Sequence, residues 1–357
     1  VGVKRVRVAV VGAGVNGLCA AWHLSKRLPG DAIGLFDALP PGHDRGSSHG
    51  EERIIRSSYE TAAWVRAMVR ARGELWPALE ADLGERLIVD GPAVFWGPED
   101  GPLPAYADAV RAVGVAVDEL DVATARRRFP THTFAGAERV LHDRTAGVIA
   151  AGRTIRALEA RLAGAGVARI QARVTGVEDH GDTVRLLGEA PVEADAVLIA
   201  AGPWVRELAP SLADRTRPAR QHVGYWRMDV SPGRTPAWVH LGREGLHYGL
   251  PTFDGRMKAA FHATGSGDDD PDELLTPDPE ALDRVEAHLR AWFEPGPGER
   301  LGADRCFYTN APDDAFVIEP LPGHDRALVV SACSGHAFKL APWVGEQAAE
   351  WAVGRLG

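Results

Sequence analysis

Cysteine is scarce in this chain: 357 residues carry only Cys19, Cys306 and Cys333, none spaced as a redox pair or a zinc knuckle. That excludes a disulfide framework and fits a reducing compartment. Long apolar runs are missing too, since no stretch approaches the roughly 20 residues of a membrane helix. Excess positive charge is also missing. The chain carries 40 Lys+Arg against 49 Asp+Glu, a formal net charge of −9, whereas a nucleic-acid partner would favour a basic face. Lysine is the rarest charged residue, present only at Lys4, Lys26, Lys258 and Lys339; the remaining basic residues of that count are arginine. In a chain that writes arginine by default, a lysine deep in the sequence needs a reason.

The composition that remains is ordinary for a globular protein, at 45% hydrophobic and 25% charged, with enough apolar material for a sizeable core. The length suits two domains. The N-terminal stretch VKRVRVAVVGAGVNGLCAAW has the basic start and apolar middle of a signal peptide. Three glycines at turn spacing before an amphipathic helix instead suit the first strand and loop of a mature fold, so a cytoplasmic protein is expected. RVRVAVV (5 to 11) reads as a strand, Val15 to about Leu28 as a helix and AIGLFDA as a second strand. Between the first two, Gly12, Gly14 and Gly17 make GxGxxG, and Asp37 lies 20 residues after the last. This spacing gives a tight turn, close backbone approach to a pyrophosphate and a carboxylate for ribose hydroxyls. The competing reading is a glycine-rich turn in another α/β protein.

Further along, a long helix is expected over about 60 to 83, with mixed short elements over 87 to 145 and another helix over 152 to 166. ADAVLIAAGPWV reads as a buried strand ending in a tight turn at Gly202. An antiparallel sheet with one helix, near 279 to 293, should occupy 217 to 310, and a last strand, ALVVSAC, leads to a closing helix. Loops are expected at 97 to 104, 209 to 218, 264 to 280 and 294 to 300. The expected fold is α/β. Segments 1–85, 146–216 and 305–357 form a Rossmann-like nucleotide-binding domain, interleaved with an antiparallel-sheet (α+β) substrate domain from 86–145 and 217–304. Such interleaving is common in flavin enzymes.

GSSHGEERIIR (46 to 56) follows the βαβ unit and gathers Ser47, Ser48, His49, Arg53 and Arg56. Alone it would read as a solvated basic turn; its position beside the cofactor loop favours a site. Four motifs then occur in order, namely GSSHG..RIIR, YG.P.F....K...H, C.YT...D..F.I and SGH.FK. Together they resemble the monomeric sarcosine oxidase and N-methyltryptophan oxidase family of flavin amine oxidases, over residues 5 to about 350. The resemblance implies a D-amino-acid-oxidase type fold and FAD joined through its 8α-methyl group to a cysteine, here Cys306. Alone, Cys306 would read as an inert buried thiol, the reading kept for Cys19 and Cys333. Nearby positive charge is expected to lower the Cys306 pKa and favour its thiolate.

Residue by residue, the resemblance implies His49 and Arg53 against one flavin face, with the cation stabilising the reduced cofactor. Arg56 and Lys339 would hold the substrate carboxylate, with Tyr248, His262 and Tyr308 lining the substrate side and Lys258 where oxygen reacts. Ser47, Ser48, Val174, Gly202, Gly335 and Lys339 join the glycines, Asp37 and Cys306 on the cofactor. The two deep lysines thus fall in the family's two lysine motifs.

The chain departs from the family in three ways: Ala332 and Cys333 stand where Gly and a bulky apolar residue are usual, Trp343 stands one helical turn beyond Lys339, and GEER replaces an Asp-Thr pair. Trp343 could reshape the pocket. The activity implied is oxidation of a secondary or cyclic amino acid to an imine, with oxygen reduced to hydrogen peroxide, by a monomer with no membrane or nucleic-acid partner. The alternatives are a dehydrogenase of the same fold using another acceptor and a non-catalytic flavin-binding protein. An NAD-dependent dehydrogenase would share GxGxxG but has no use for Cys306.

Overall fold

The computed structural model describes residues 4–243, 245–262, 267–273 and 276–356; the loop expected over 264 to 280 lies partly outside them. The strand Lys4–Val11 alternates its β-branched side chains between two cores. Val8 and Val10 pack with the helix Val15–Ser25, while Ala9 and Val11 pack with Val197 and Ile199 on the opposite face. A strand covered on both faces is the expected centre of a parallel sheet, and it pairs in parallel with Ile33–Asp37 on one side and Val192–Ile199 on the other. Ala168–Gln171 extends the sheet beyond Ile33–Asp37. Ala327–Ser331 and the hairpin strands Val174–His180 and Thr183–Gly188 complete the other edge with Val317–Pro320.

A second eight-stranded sheet runs in the order Arg300–Asn310, Arg217–Arg227, Arg256–His262, Gly245–Pro251, Ala237–Gly242, Ala93–Trp96, Arg139–Asp143, Val117–Asp121. It is antiparallel except where Ala237–Gly242 lies parallel to Ala93–Trp96. The period-2 alternation of its strands sorts their side chains. Trp226, Trp238, Met257 and Ala259 face the helix Pro279–Trp292 and form an aromatic-rich core. Tyr225, Tyr248, Lys258, His262, Cys306 and Tyr308 occupy the complementary positions, and all line one cavity. This sheet is the roof of the site.

Two features were not foreseen. A small third sheet joins Glu52–Ile55, Gly147–Ala150 and Ile88–Asp90. The helix expected over 60 to 83 is also interrupted, running as Ala62–Arg70, a wide π turn over Ala71–Leu75, and Trp76–Leu83. Pro77 has no N–H to donate and its ring crowds the carbonyl four residues back, which opens the turn.

Candidate active site

A cavity of about 1050 Å³ runs from the glycine turn, past Asp37, to the inner face of the second sheet. Its size lies at the upper limit of small-molecule sites, roughly 300–1,000 Å³, which leaves room for an extended ligand and a small second one. At one end Gly12 has φ +103, and a Cβ there would lie 2.2 Å from the Ala200 carbonyl oxygen. Asp37 accepts from Ala13 N at 2.7 Å and from Leu39 N at 2.8 Å, which orients the carboxylate and leaves further lone pairs. Ser48 Oγ accepts from Val15 N at 3.0 Å. Among the described residues, one buried acceptor in this stretch, Asn16 Oδ1, has no hydrogen-bond partner, and native proteins leave few such groups without a use. The tight glycine turn fits the diphosphate of FAD, and the acid and the unpartnered Asn16 Oδ1, both acceptors, fit its ribose hydroxyls. Val174 and Gly202 line the same end; Gly17 does not, because it packs directly beneath the Gly12 carbonyl.

The 46–56 loop is organised by Arg53, whose guanidinium donates to Glu52 O (2.9 Å), Ser47 O (3.0 Å) and His49 O (2.6 Å). His49 Nδ1 bonds Gly46 O at 3.0 Å, and burial, helped by Arg53, lowers its pKa and keeps it neutral. Arg56 is buried, with its guanidinium 4.1 Å from the Tyr59 ring centre and Phe95 and Tyr106 close by. Lys339 is buried as well and donates to His336 O at 3.2 Å. Burial, with Arg56 and Arg53, holds its pKa well below the usual lysine value. Lys258 donates to Glu52 O at 3.0 Å, and burial, reinforced by Arg53 and opposed by Glu52, lowers it to about 8.

Facing these cations, His262 Nδ1 bonds the Tyr308 hydroxyl at 3.1 Å, and Tyr308 bonds Tyr248. Burial lowers His262 to about 3 and raises Tyr248 to about 12, so both are neutral near pH 7. Gly335 stands against this pair, because a Cβ there would lie 2.3 Å from His262 and 2.5 Å from Tyr308. Cys306 opens onto the same cavity. Its thiol departs from expectation: Arg53 and Lys258 pull its pKa down, but burial outweighs them and the net shift is upward.

The residues singled out from the sequence therefore converge on one cavity, Gly17 excepted. Cys333 lines the cavity as well, with its pKa raised by burial as in an unreactive buried thiol, whereas Trp343, expected as a residue that could reshape the pocket, does not line it. Lys339 lies in a 3₁₀ turn before the closing helix, so the one-turn offset that would aim Trp343 inward is lost, and Trp343 packs against the core. The sequence reading also missed Tyr59, Tyr106, Tyr225, Asp304 and His336, all on the cavity wall. His336 stood inside the quoted SGH motif, and Glu52, another wall residue, inside GEER. Tyr59 and Tyr106 carried no pattern.

Comparison with known proteins agrees with this geometry. The FAD dependent oxidoreductase family profile matches residues 7–351. N-methyl-L-tryptophan oxidase of Salmonella typhimurium LT2 is 30% identical, over 97% of this chain and 94% of the relative. Monomeric sarcosine oxidase of Arthrobacter sp. TE1826 is 30% identical, over 98% and 93%. Among solved structures, the open form of NikD, described as an unusual amino acid oxidase essential for nikkomycin biosynthesis, superposes with a TM-score of 0.86. It is 22% identical, over 98% of this chain and 94% of the other, a likeness of fold. With a profile match from strand to closing helix and curated relatives at full length, this chain belongs to the FAD dependent oxidoreductase family.

Proposed function

We propose that this FAD-dependent amine oxidase takes a secondary or cyclic amino acid, binds it by its carboxylate and releases the imine, with oxygen reduced to hydrogen peroxide. The observation that carries the reading is the pair of buried basic side chains, Arg56 and Lys339, on the cavity wall with the neutral His262–Tyr308–Tyr248 group. Arg56 offers a planar fork to a carboxylate and Lys339 a compact point charge. Their combined field also favours loss of a proton from the substrate ammonium, and only the neutral amine can surrender electrons. His262, neutral near pH 7, adds nothing to this field. FAD, when bound, accepts the electron pair and hydrogen from the C–H beside nitrogen. Lys258 holds a positive charge where oxygen gains electrons. The imine hydrolyses after release.

Cys306 is the attachment atom in this reading, through the cofactor's 8α-methyl group. Its place on the cavity wall beside Arg53 and Lys258 supports the assignment. Acid-precipitated protein is expected to stay yellow, and Cys306→Ser to release the colour to the supernatant. Flavin that washes freely from the wild type would refute the link.

The substrate test is peroxide release across sarcosine, N-methyl-L-tryptophan, L-proline and glycine, each beside its analogue lacking the carboxylate. Turnover confined to carboxylate-bearing secondary amines is expected. Equal turnover of the analogues would sink the reading. Reduction of the flavin without peroxide would point to a different electron acceptor.

A further inference from the structure

We propose that Asp143 is a positioning residue for substrate binding: from behind the cavity wall it fixes the turn that aims Arg56 at the substrate carboxylate. The inference rests on the reading of Arg56 as a carboxylate ligand. Asp143 ends the strand Arg139–Asp143 of the second sheet and is fully buried. It does not line the cavity. Among the described residues, no cationic side chain pairs with it within 4.0 Å. A carboxylate in that position is costly unless hydrogen bonds saturate it.

Those bonds have a direction. Oδ2 accepts from Ser57 N (2.9 Å), Ser58 N (3.0 Å) and Ser58 Oγ (2.9 Å). Oδ1 accepts from Thr145 N (2.8 Å) and Thr145 Oγ1 (2.6 Å), and Thr145 Oγ1 in turn bonds Ser57 Oγ at 2.7 Å. Two successive backbone N–H groups are thereby pinned toward Asp143. The Ser58 carbonyl then accepts from Arg56 Nη1. The next residue, Tyr59, supplies the ring against the guanidinium. Two of the contacts on the Arg56 guanidinium are thus carried by the turn that Asp143 holds, while Phe95 and Tyr106 flank it from elsewhere. Burial works against the Arg56 charge, and Tyr106, Tyr59, Glu60 and Asp143 offset it. Asp143 therefore serves Arg56 in orientation and in charge, without touching the substrate. Ordering the long side chain before binding spares the ligand that entropy cost.

The test titrates holoenzyme with propionate, and with propionamide as the neutral control, by calorimetry in wild type, Asp143→Asn and Arg56→Ala. Asp143→Asn is expected to weaken propionate by about tenfold or more, with propionamide unchanged. In turnover, KM for the amino acid should rise far more than kcat falls. A residue that merely stabilises the fold would lower the melting temperature and leave the propionate-to-propionamide ratio alone; that result overturns the proposal. If Arg56→Ala also leaves propionate binding intact, the carboxylate reading fails and the inference fails with it. Loss in Arg56→Ala alone overturns only the role of Asp143. Should Asp143→Asn not accumulate folded, the double variant Ser58→Ala/Thr145→Val removes two of the bonds to Asp143 together with the Thr145–Ser57 bond, and keeps the acid. It is expected to weaken propionate by about threefold, and unchanged affinity there overturns the proposal.

Discussion

Lys258 carries a charge that depends on pH within the working range. Its pKa is lowered to about 8, chiefly by burial, so the ammonium is present below that value and lost as pH rises through it. Reoxidation by oxygen is therefore expected to slow as pH climbs past about 8, while flavin reduction follows the substrate's own titration. Lys258→Met should slow reoxidation by about two orders of magnitude or more and keep anaerobic reduction within about tenfold; stopped-flow traces of the two half-reactions decide. Glu52 opposes the shift, so Glu52→Gln should move the reoxidation midpoint to lower pH. At the other cations, Arg56→Ala or Lys339→Ala should each weaken carboxylate inhibitors by about 1.5–3 kcal/mol, read by calorimetric titration. Scarcity marked both inner lysines as needing a reason and the motifs they stand in placed them at the site; both do line the cavity. Asp143 was not legible. Its role depends on a turn in the first half of the site meeting a strand some 85 residues later, and no local pattern records that.

Strand alternation made the roof of the cavity readable in principle, since every second residue of the motif-bearing strands faces inward. Helix continuity was less secure. The 60 to 83 helix passed as uniform because a proline in its interior leaves the apolar spacing almost intact while changing the hydrogen bonding. Trp343 was misjudged for a related reason: a 3₁₀ turn and an α turn look alike in sequence but rotate the next side chains differently. Turns also differ in what they tolerate. Gly335→Ala places its new methyl against the His262 and Tyr308 rings at φ +72. Side chains can move, so the protein should fold with a modestly lower melting temperature and bind substrate analogues about tenfold or more weakly. Gly12→Ala meets backbone that cannot retreat, at 2.2 Å from the Ala200 oxygen and φ +103. It is expected to yield little folded, flavin-loaded protein, as absorbance against total protein would reveal.

Across the whole molecule, burial lowers His23 and His240 to about 4 and His132, His247, His262 and His336 to about 3. Each folded value lies below that of the unfolded chain, so their neutral burial supports stability above about pH 6.5. That support is lost as pH falls through the folded values. The melting temperature should drop steeply as pH falls between about pH 6 and 4, as calorimetry would show. The helix Pro279–Trp292 should loosen early, because His240 and His247 pack under it with Nδ1 atoms that have no partner among the described residues. The interleaved topology has a consequence for how such a chain is made. Of the strands in its sheet, Lys4–Val11 is made before all the others, yet its neighbour Val192–Ile199 follows almost 190 residues later, and Ala327–Ser331 must still join that neighbour. Closing such distant pairs is slow. Through that interval the nascent chain holds an unpaired apolar strand edge, which makes chaperone supply, rather than final stability, the factor expected to limit its yield.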